Sequence, residues 1–506
     1  MRGVALIEVG CDRPELNEPV GICTIASFLA QEHELQPSQI KLFWQKLPSK
    51  QVKLGELKDV SLFGLSAQIN SLSNTESLYN QIRQHFPGAT IVIGNLLPIY
   101  ASDELLARFP EAILCVGEGE VPFSMIYEKV AESNGSVDRF DLGQVPNLMF
   151  RKQNELVKTP TMLVEVNRLP PPRRDFVPDL VRIGGITRVE SSRGCHWGRC
   201  EFCSVASRFG LGGYRRFSAE RIVSDLEALA KSGALSPYFS DEDFFGRRYA
   251  ESEQLAAAVI QAKNEGRIPR GMNFFVSVLS SDVKNAAGEA ALLRWKEAGL
   301  REVFIGVEAG AEAEIKRFVK KANAGTNTTA LSRLLEMGFQ VDIGFIMFDP
   351  MMTLTDLEQN VDWLLDQPLA DIDARVTKTL RIQPKTGLEQ KYSSLIEGPL
   401  DVDELTYPSA FLDAGVARIE RAFRSWETTL KSAVYTLLGS VRGELRDEDQ
   451  RLQRKRSLAC IRDVDLEYLR LLIKVQKGNM SPGSLEREAI RLDRKKRLIL
   501  HECKVM

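Results

Sequence analysis

The stretch Ser191-Ser192-Arg193-Gly194-Cys195-His196-Trp197-Gly198-Arg199-Cys200-Glu201-Phe202-Cys203-Ser204-Val205 sets Cys195, Cys200 and Cys203 in the spacing C-x4-C-x2-C. Thiolates are the ligands of iron–sulfur clusters, and spacings this short let one loop wrap one cluster. Three thiolates take three irons of a [4Fe–4S] cluster and leave the fourth open to an outside ligand. Zinc is the competing reading. Structural zinc sites close with four ligands, and His196 is of the right type, but its place directly beside Cys195 is awkward for a shared metal. The remaining cysteines, at 11, 23, 115, 460 and 503, are scattered. That does not suit the disulfide framework of a small secreted domain.

Working outward, the loop follows a strand-like run at 186–191. Further strand-like runs at 238–241, 273–279, 302–307, 342–347 and 375–380 alternate with helical stretches at 219–231, 251–264, 289–298, 312–321, 329–337 and 357–365. Apolar residues recur in these at helical spacing, as in Ile222, Leu226 and Leu229. Consecutive βα units of this kind predict a partial (β/α)6 barrel of TIM type, with chemistry at the carboxyl ends of its strands.

Upstream, strand-like runs at 4–9, 60–66, 89–94 and 112–116 alternate with helical stretches at 22–29, 74–85, 102–109 and 121–131. This predicts a doubly wound parallel sheet, Rossmann-like, whose strand ends carry Ser66, Gly94-Asn95 and Gly117-Glu118-Gly119-Glu120. A hairpin at 146–165 leads to Pro170-Pro171-Pro172, which can continue neither a helix nor a central strand. Beyond 395, helical stretches at 410–438 and 463–475 flank charge-rich segments such as 442–456, read as solvated helix faces. The expected organisation is therefore an α/β sheet domain over 1–145, a connector over 146–184, the barrel over 185–395 and a helical region over 396–506.

The bulk properties exclude other classes. The 506 residues carry 26% charged and 44% hydrophobic side chains and a net charge of −2. No basic field favours nucleic acid, so a nucleic-acid partner is not expected. No run approaches the ~20 apolar residues of a membrane helix, and the opening MRGVALIEVG is too short for a signal peptide. A cytoplasmic protein without a membrane partner is the expectation.

The cysteine loop and the motifs at the strand ends together resemble the radical S-adenosylmethionine (SAM) superfamily. The usual spacing there is C-x3-C-x2-C, one residue shorter. Phe202 takes the aromatic position before the last cysteine, whose backbone faces adenine. Ser240-Asp241-Glu242-Asp243 resembles the motif for the methionine amino group, with acids in place of glycines. Ser277 lies where the third strand contacts SAM. Gly306-Val307-Glu308-Ala309-Gly310 resembles the element after the fourth strand, with Glu308 as its polar contact. Gly344 and Ile346 lie on a strand like the one flanking adenine, and Pro384-Lys385-Thr386 resembles a late P-G-T turn with lysine for glycine. The resemblance implies Cys195, Cys200 and Cys203 as cluster ligands and an external reductant such as flavodoxin or ferredoxin. It also implies reductive cleavage of SAM to a 5′-deoxyadenosyl radical that takes hydrogen from the substrate.

The order of sheet domain, hairpin, proline-rich connector and cysteine loop is similar to the branch with an N-terminal cobalamin-binding domain. Ser66, Gly94, Asn95, Gly117, Glu118 and Gly119 fall on that branch's pattern, but its D-x-H-x-x-G motif is absent, and Cys11-Asp12-Arg13-Pro14 holds the comparable loop. Cobalamin is left open, and with it the reaction. With the corrinoid, methyl transfer follows. Without it, epimerisation or rearrangement does, for which Cys460 or Cys503 would be hydrogen donors if the helical region caps the barrel. The loop also resembles enzymes that modify ribosomally made peptides, so a peptide or natural-product precursor is the expected substrate. A tRNA-modifying enzyme is the further alternative.

Overall fold

The computed structural model describes residues 3–133, 139–153, 155–210, 213–369, 376–444 and 447–503. The chain forms two compact units: Met1–Ile183 with Arg215–Gly233 and Leu400–Thr406, and Gly184–Tyr214 with Ala234–Pro399 and Tyr407–Met506.

The first unit is built on strands β1 (Gly3–Glu8), β2 (Ile40–Trp44), β3 (Val60–Ser66), β4 (Thr90–Gly94), β5 (Ile113–Cys115), β6 (Leu148–Lys152) and β7 (Glu155–Lys158). They form one sheet in the order β2-β1-β3-β4-β5-β6-β7. Pairing is parallel through β5, and the β6–β7 hairpin is antiparallel. The strands read as apolar runs because both faces are covered. Val4, Leu6, Leu62 and Val92 pack with Ile22, Leu29 and Ile126 on one side. Ala5, Ile7, Phe63 and Ile91 pack with Leu78, Ile82 and Leu105 on the other. Gly64 lets these layers approach, since a Cβ there would lie 2.6 Å from Leu6 and 2.7 Å from Phe123. Sequence reading missed β2, a short edge strand whose apolar run is broken by Lys41. That strand matters because chain order reverses between β1 and β3, creating the crevice where doubly wound sheets bind ligands.

Two distant segments join this unit. The helix Ala219–Lys231, expected on the barrel, groups here through the buried Arg174, which donates to Glu18 (2.8 Å) and Asp225 (3.0 Å). Leu400–Thr406, expected in the helical region, returns here as well. Asp403 accepts from the Leu72 N–H at the start of the helix Leu72–His85 (2.8 Å), and Leu405 enters the apolar core.

The second unit has a six-stranded parallel sheet whose strands lie in chain order: Arg188–Val189, Tyr238–Phe239, Phe274–Val278, Leu300–Glu308, Gln340–Phe348 and Lys378–Thr379. This is the singly wound arrangement of a partial barrel. The last expected strand, 375–380, begins at a residue outside those described. The stretch expected to be helical over 312–321 is helix only over Glu312–Arg317, and Val319 turns left-handed (φ 53°).

The C-terminal region consists of the helices Ala414–Thr428, Lys431–Arg442, Glu448–Gln476 and Pro482–Glu502. The stretch expected at 410–438 is thus two helices, and 463–475 is part of one long one. The charge-rich segment is solvated on one side only, where Asp447, Asp449, Gln450, Gln453 and Arg456 are exposed. Arg451 and Lys455 are buried and both grip Glu302, the arginine at 2.7 Å. Arg442 pairs with Asp342 (2.7 Å), and Glu444 accepts from Thr187 (2.6 Å) and the Leu235 N–H (3.0 Å). These partners lie before a barrel strand or within its first three residues, so the helices Lys431–Arg442 and Glu448–Gln476 pack at the amino end of the barrel. Burial pushes the Glu302 carboxyl up, but Lys455 and Arg451 overcome it and hold the pKa below the usual value. Glu302→Gln leaves two buried cations without their anion. It should lower unfolding free energy by about 3–5 kcal/mol in urea titrations.

Candidate active site

The cysteine loop is fastened before any cofactor is considered. Ser191 and Ser192 follow the first barrel strand, and each donates both its N–H and its hydroxyl to the buried Asp241 carboxylate (2.5–3.0 Å). Glu242 accepts from the Gly194 N–H (3.3 Å) and from Arg208 (2.6 Å). Asp243 accepts from the N–H (3.2 Å) and Nδ1 (2.5 Å) of His196 and from the Gly246 N–H (2.9 Å). Burial would raise the Asp243 pKa, but these hydrogen bonds hold it below the usual carboxylate range. The acids of Ser240-Asp241-Glu242-Asp243 are therefore a clamp on the loop. Of the segment expected at the methionine amino group, the side chains of Asp241 and Glu242 are thus engaged by the loop itself. The Ser240 hydroxyl is likewise turned to the Val189 carbonyl (3.2 Å). Gly194 is left-handed (φ 87°), and a Cβ there would meet the Gly213 carbonyl at 2.6 Å, so this turn requires glycine.

The far side of the loop is stitched to the segment after Arg317. The Trp197 indole donates to the Val319 carbonyl (3.0 Å), the Glu201 N–H to the Phe318 carbonyl (3.0 Å), and Phe202 meets Phe318 edge-on at 5.4 Å. Lys320, which the sequence reading passed over, is thereby brought beside Cys200 and Cys203 and pairs with Glu308 at 2.8 Å. Burial lowers the Lys320 pKa, but Glu308 and the thiols outweigh it and hold the pKa at about 12. Burial pushes Cys195 up to about 12 and Cys200 to about 11; Lys320 pulls Cys200 partly back. All three thiols are half-buried along one loop. That donor set fits a cluster with one iron free of protein ligands.

Glu308 is left-handed (φ 70°) at a register shift between the fourth and fifth barrel strands, strain of the kind concentrated at functional sites. Gly306 and Gly344 leave room for its ion pair; a Cβ on Gly306 would lie 2.4 Å from the Glu308 carboxylate. The turn after it is held by two buried amides that sequence reading missed. Asn327 donates to the Val307 carbonyl (3.0 Å), and Asn360 accepts from the N–H groups of Gly310 (2.8 Å) and Ala311 (2.9 Å). Ile346 and Phe202 pack on one apolar cluster with Ala309, Phe318 and Ile382, so the two residues expected around adenine share a surface. The carbonyl of Ser277 accepts from the Phe244 N–H (3.0 Å). Lys385 is left-handed (φ 61°), the conformation a glycine takes with less strain.

Cys460 is exposed on the helix Glu448–Gln476, about one turn beyond Lys455. Cys503 packs against Leu437, Leu458 and Leu500. Both thiols therefore belong to the helices that close the amino end of the barrel. Neither thiol is therefore placed at the carboxyl ends, although the segment before the helix Ala414–Thr428 reaches them, the Leu412 N–H donating to the Pro350 carbonyl (2.8 Å).

In the first unit, the carboxyl edge of the sheet carries a chain of polar side chains. Asn95 (φ 77°) donates to the Ser66 hydroxyl (2.9 Å), and Ser66 is register partner and hydrogen-bond partner of Glu8. Gly94 is open, its nearest neighbour for a Cβ being Cys115 at 3.7 Å. Glu118, by contrast, is occupied, accepting from Arg215 (2.8 Å) and from the Val164 N–H (2.6 Å). Gly117 and Gly119 pack tightly against Asn147 and Ile25. His33 and His85 close the helices Val20–Glu32 and Leu72–His85, which puts them at the opposite edge of a parallel sheet. Among the described residues, hydroxyl, amide and carboxyl groups line the β1/β3 crevice without an imidazole, and such groups fit a ring that bears carboxamides.

Comparison with known proteins agrees with this geometry. Residues 189–364 match the radical SAM superfamily. The chain carries a radical SAM domain over those residues. It is 26% identical over 376 residues to 4′-phospho-dehydrooxetanocin synthase of Priestia megaterium, covering 69% of this chain and 48% of the relative. It is 24% identical over 373 residues to hopanoid C-3 methylase of Methylococcus capsulatus, covering 69% and 65%. The chain thus spans about half to two-thirds of the length of these relatives. Among solved structures, the cobalamin-dependent SAM radical enzyme OxsB, with aqua-cobalamin and SAM bound, superposes with a TM-score of 0.81 at 17% identity. That match covers all of this chain and 80% of OxsB. This radical SAM protein therefore has the α/β fold of cobalamin-dependent members, and the superfamily's cofactors are the [4Fe–4S] cluster and SAM. Among the described residues no helix is long and apolar enough to cross a membrane.

A metal would also find Cys195, His196 and Asp243, whose ligand atoms lie within 4.8 Å of one another. The two donor sets share only Cys195 and are separable. Replacing Cys195, Cys200 or Cys203 by alanine should abolish the visible iron–sulfur absorbance after anaerobic reconstitution, whereas His196→Ala should retain iron and sulfide at the level of the unaltered protein.

Proposed function

We propose that this radical SAM protein is a cobalamin-dependent methyltransferase acting on an unactivated carbon of a natural-product-like small molecule. The observation that carries the reading is the fold match to OxsB over the entire chain, including a sheet domain whose β1/β3 crevice offers amide and hydroxyl groups. The relation to hopanoid C-3 methylase supports methyl transfer as the chemistry. The peptide class expected from the cysteine loop has no support beyond that loop.

Cys195, Cys200 and Cys203 would hold the cluster. Asp241, Glu242 and Asp243 fix the path of the loop that presents these thiols. The Glu308–Lys320 pair offers one group of each sign to the zwitterionic methionine end of SAM, and Phe202 and Ile346 offer an apolar face to its adenine. Ser66, Gly94 and Asn95 line the corrinoid side. When bound, cluster, SAM and corrinoid together supply an organic radical for hydrogen abstraction and a methyl group for transfer. The protein's part is to bind, orient and exclude water.

Anaerobic protein reconstituted with iron, sulfide and hydroxocobalamin, then given SAM and a strong reductant, should retain corrinoid on gel filtration and form S-adenosylhomocysteine. Formation of 5′-deoxyadenosine alone, from protein that retains no corrinoid, would instead support radical rearrangement without methyl transfer.

A further inference from the structure

Glu8 and Gln68 lie in the first unit, outside the residues that the motifs single out. Glu8 is the last residue of β1, buried, and in register with Ser66 on β3 and Trp44 on β2. It therefore sits at the point where strand order reverses, the place doubly wound sheets reserve for ligands. Gln68, half-exposed on the loop after β3, donates its amide to Glu8 at 2.8 Å. On the other side Ser66 joins Glu8 to Asn95. One acid thus anchors two polar arms at the mouth of the crevice.

We propose that Gln68 is a corrinoid-binding residue and that Glu8 is the positioning residue that holds it. The inference rests on the cobalamin reading given under Proposed function. With its amide nitrogen held by Glu8, Gln68 turns its carbonyl oxygen outward as an acceptor. A corrinoid carries a rim of carboxamides whose N–H groups are the complementary donors.

The anchor is sensitive to pH. Burial pushes the Glu8 carboxyl up to about 7, and Ser66 and Lys46 pull it back only partly. Around it, β2 contributes Trp44 and is followed by Gln45, which accepts from the Gly10 N–H (2.8 Å). Asn74, from the helix Leu72–His85, donates to the Gly10 carbonyl (2.9 Å). The charged group bearing on Glu8 is Lys46, whose ammonium is directed to the carbonyls of Arg13 and Glu15. Above about pH 7 the carboxylate grips Gln68 by a charge-assisted bond. Below it the acid is neutral and the grip weakens.

Equilibrium dialysis of methylcobalamin against the full chain in the dark tests this; its cobalt carries no aqua ligand to titrate. The unaltered protein should bind roughly tenfold more tightly at pH 8 than at pH 6. Glu8→Gln should bind at the weaker level with no pH dependence. Gln68→Leu, a change on a half-exposed loop that leaves the buried acid in place, should do the same. If either variant keeps the affinity and pH profile of the unaltered protein, the assignment of Gln68 and Glu8 is wrong while the cobalamin reading stands. If the unaltered protein binds no corrinoid at either pH, both are overturned.

Discussion

The carboxylate of Asp241 is the constraint on which the active site depends. It accepts from both backbone and both side-chain donors of Ser191 and Ser192, in the interior, where charge-assisted hydrogen bonds are strong and their loss leaves a buried charge. That fixes where the chain leaves the first barrel strand. Glu242 and Asp243 fasten the next turns at Gly194 and His196. A loop carrying three thiols has many conformations of similar energy, and a metal cluster forms only if the thiols converge. Acids placed at the end of the neighbouring strand remove that freedom before the cluster arrives.

The same logic holds on the opposite side of the loop. Trp197, Glu201 and Phe202 attach it to the backbone around Phe318 and Val319, and this carries Lys320 in beside the thiols and Glu308. A buried ammonium is costly unless paired. Here it is balanced by Glu308 in a strained left-handed turn, which Asn327 and Asn360 support from behind. The Glu308–Lys320 pair is thus a fixed arrangement of one charge of each sign beside the thiols.

Much of this was legible in the sequence. The apolar runs of β1, β3, β4 and β5 and the helical periodicities between them announce parallel sheets, because only strands covered on both faces are apolar throughout. The cysteine spacing announces its chemistry because ligand geometry is local. What stayed hidden was set by partners far apart in the chain. Arg451 and Lys455 look like solvent-facing charges until the long helix lies against Glu302, about 150 residues away in sequence. That Asp241 and Glu242 bond the cysteine loop shows only once the loop turns back onto them. Cys460 and Cys503 could be placed at the mouth of the barrel only so long as the end covered by the helices was unknown.

The sequence by itself determined the architecture, the cluster loop and the order of strand-end motifs, since hydrophobic period and short-range spacing are properties of neighbouring residues. Only the tertiary structure decided which polar groups are taken up by the fold itself. A carboxylate carries the same charge in either role, and its role depends on which donors the folded chain brings within hydrogen-bonding distance.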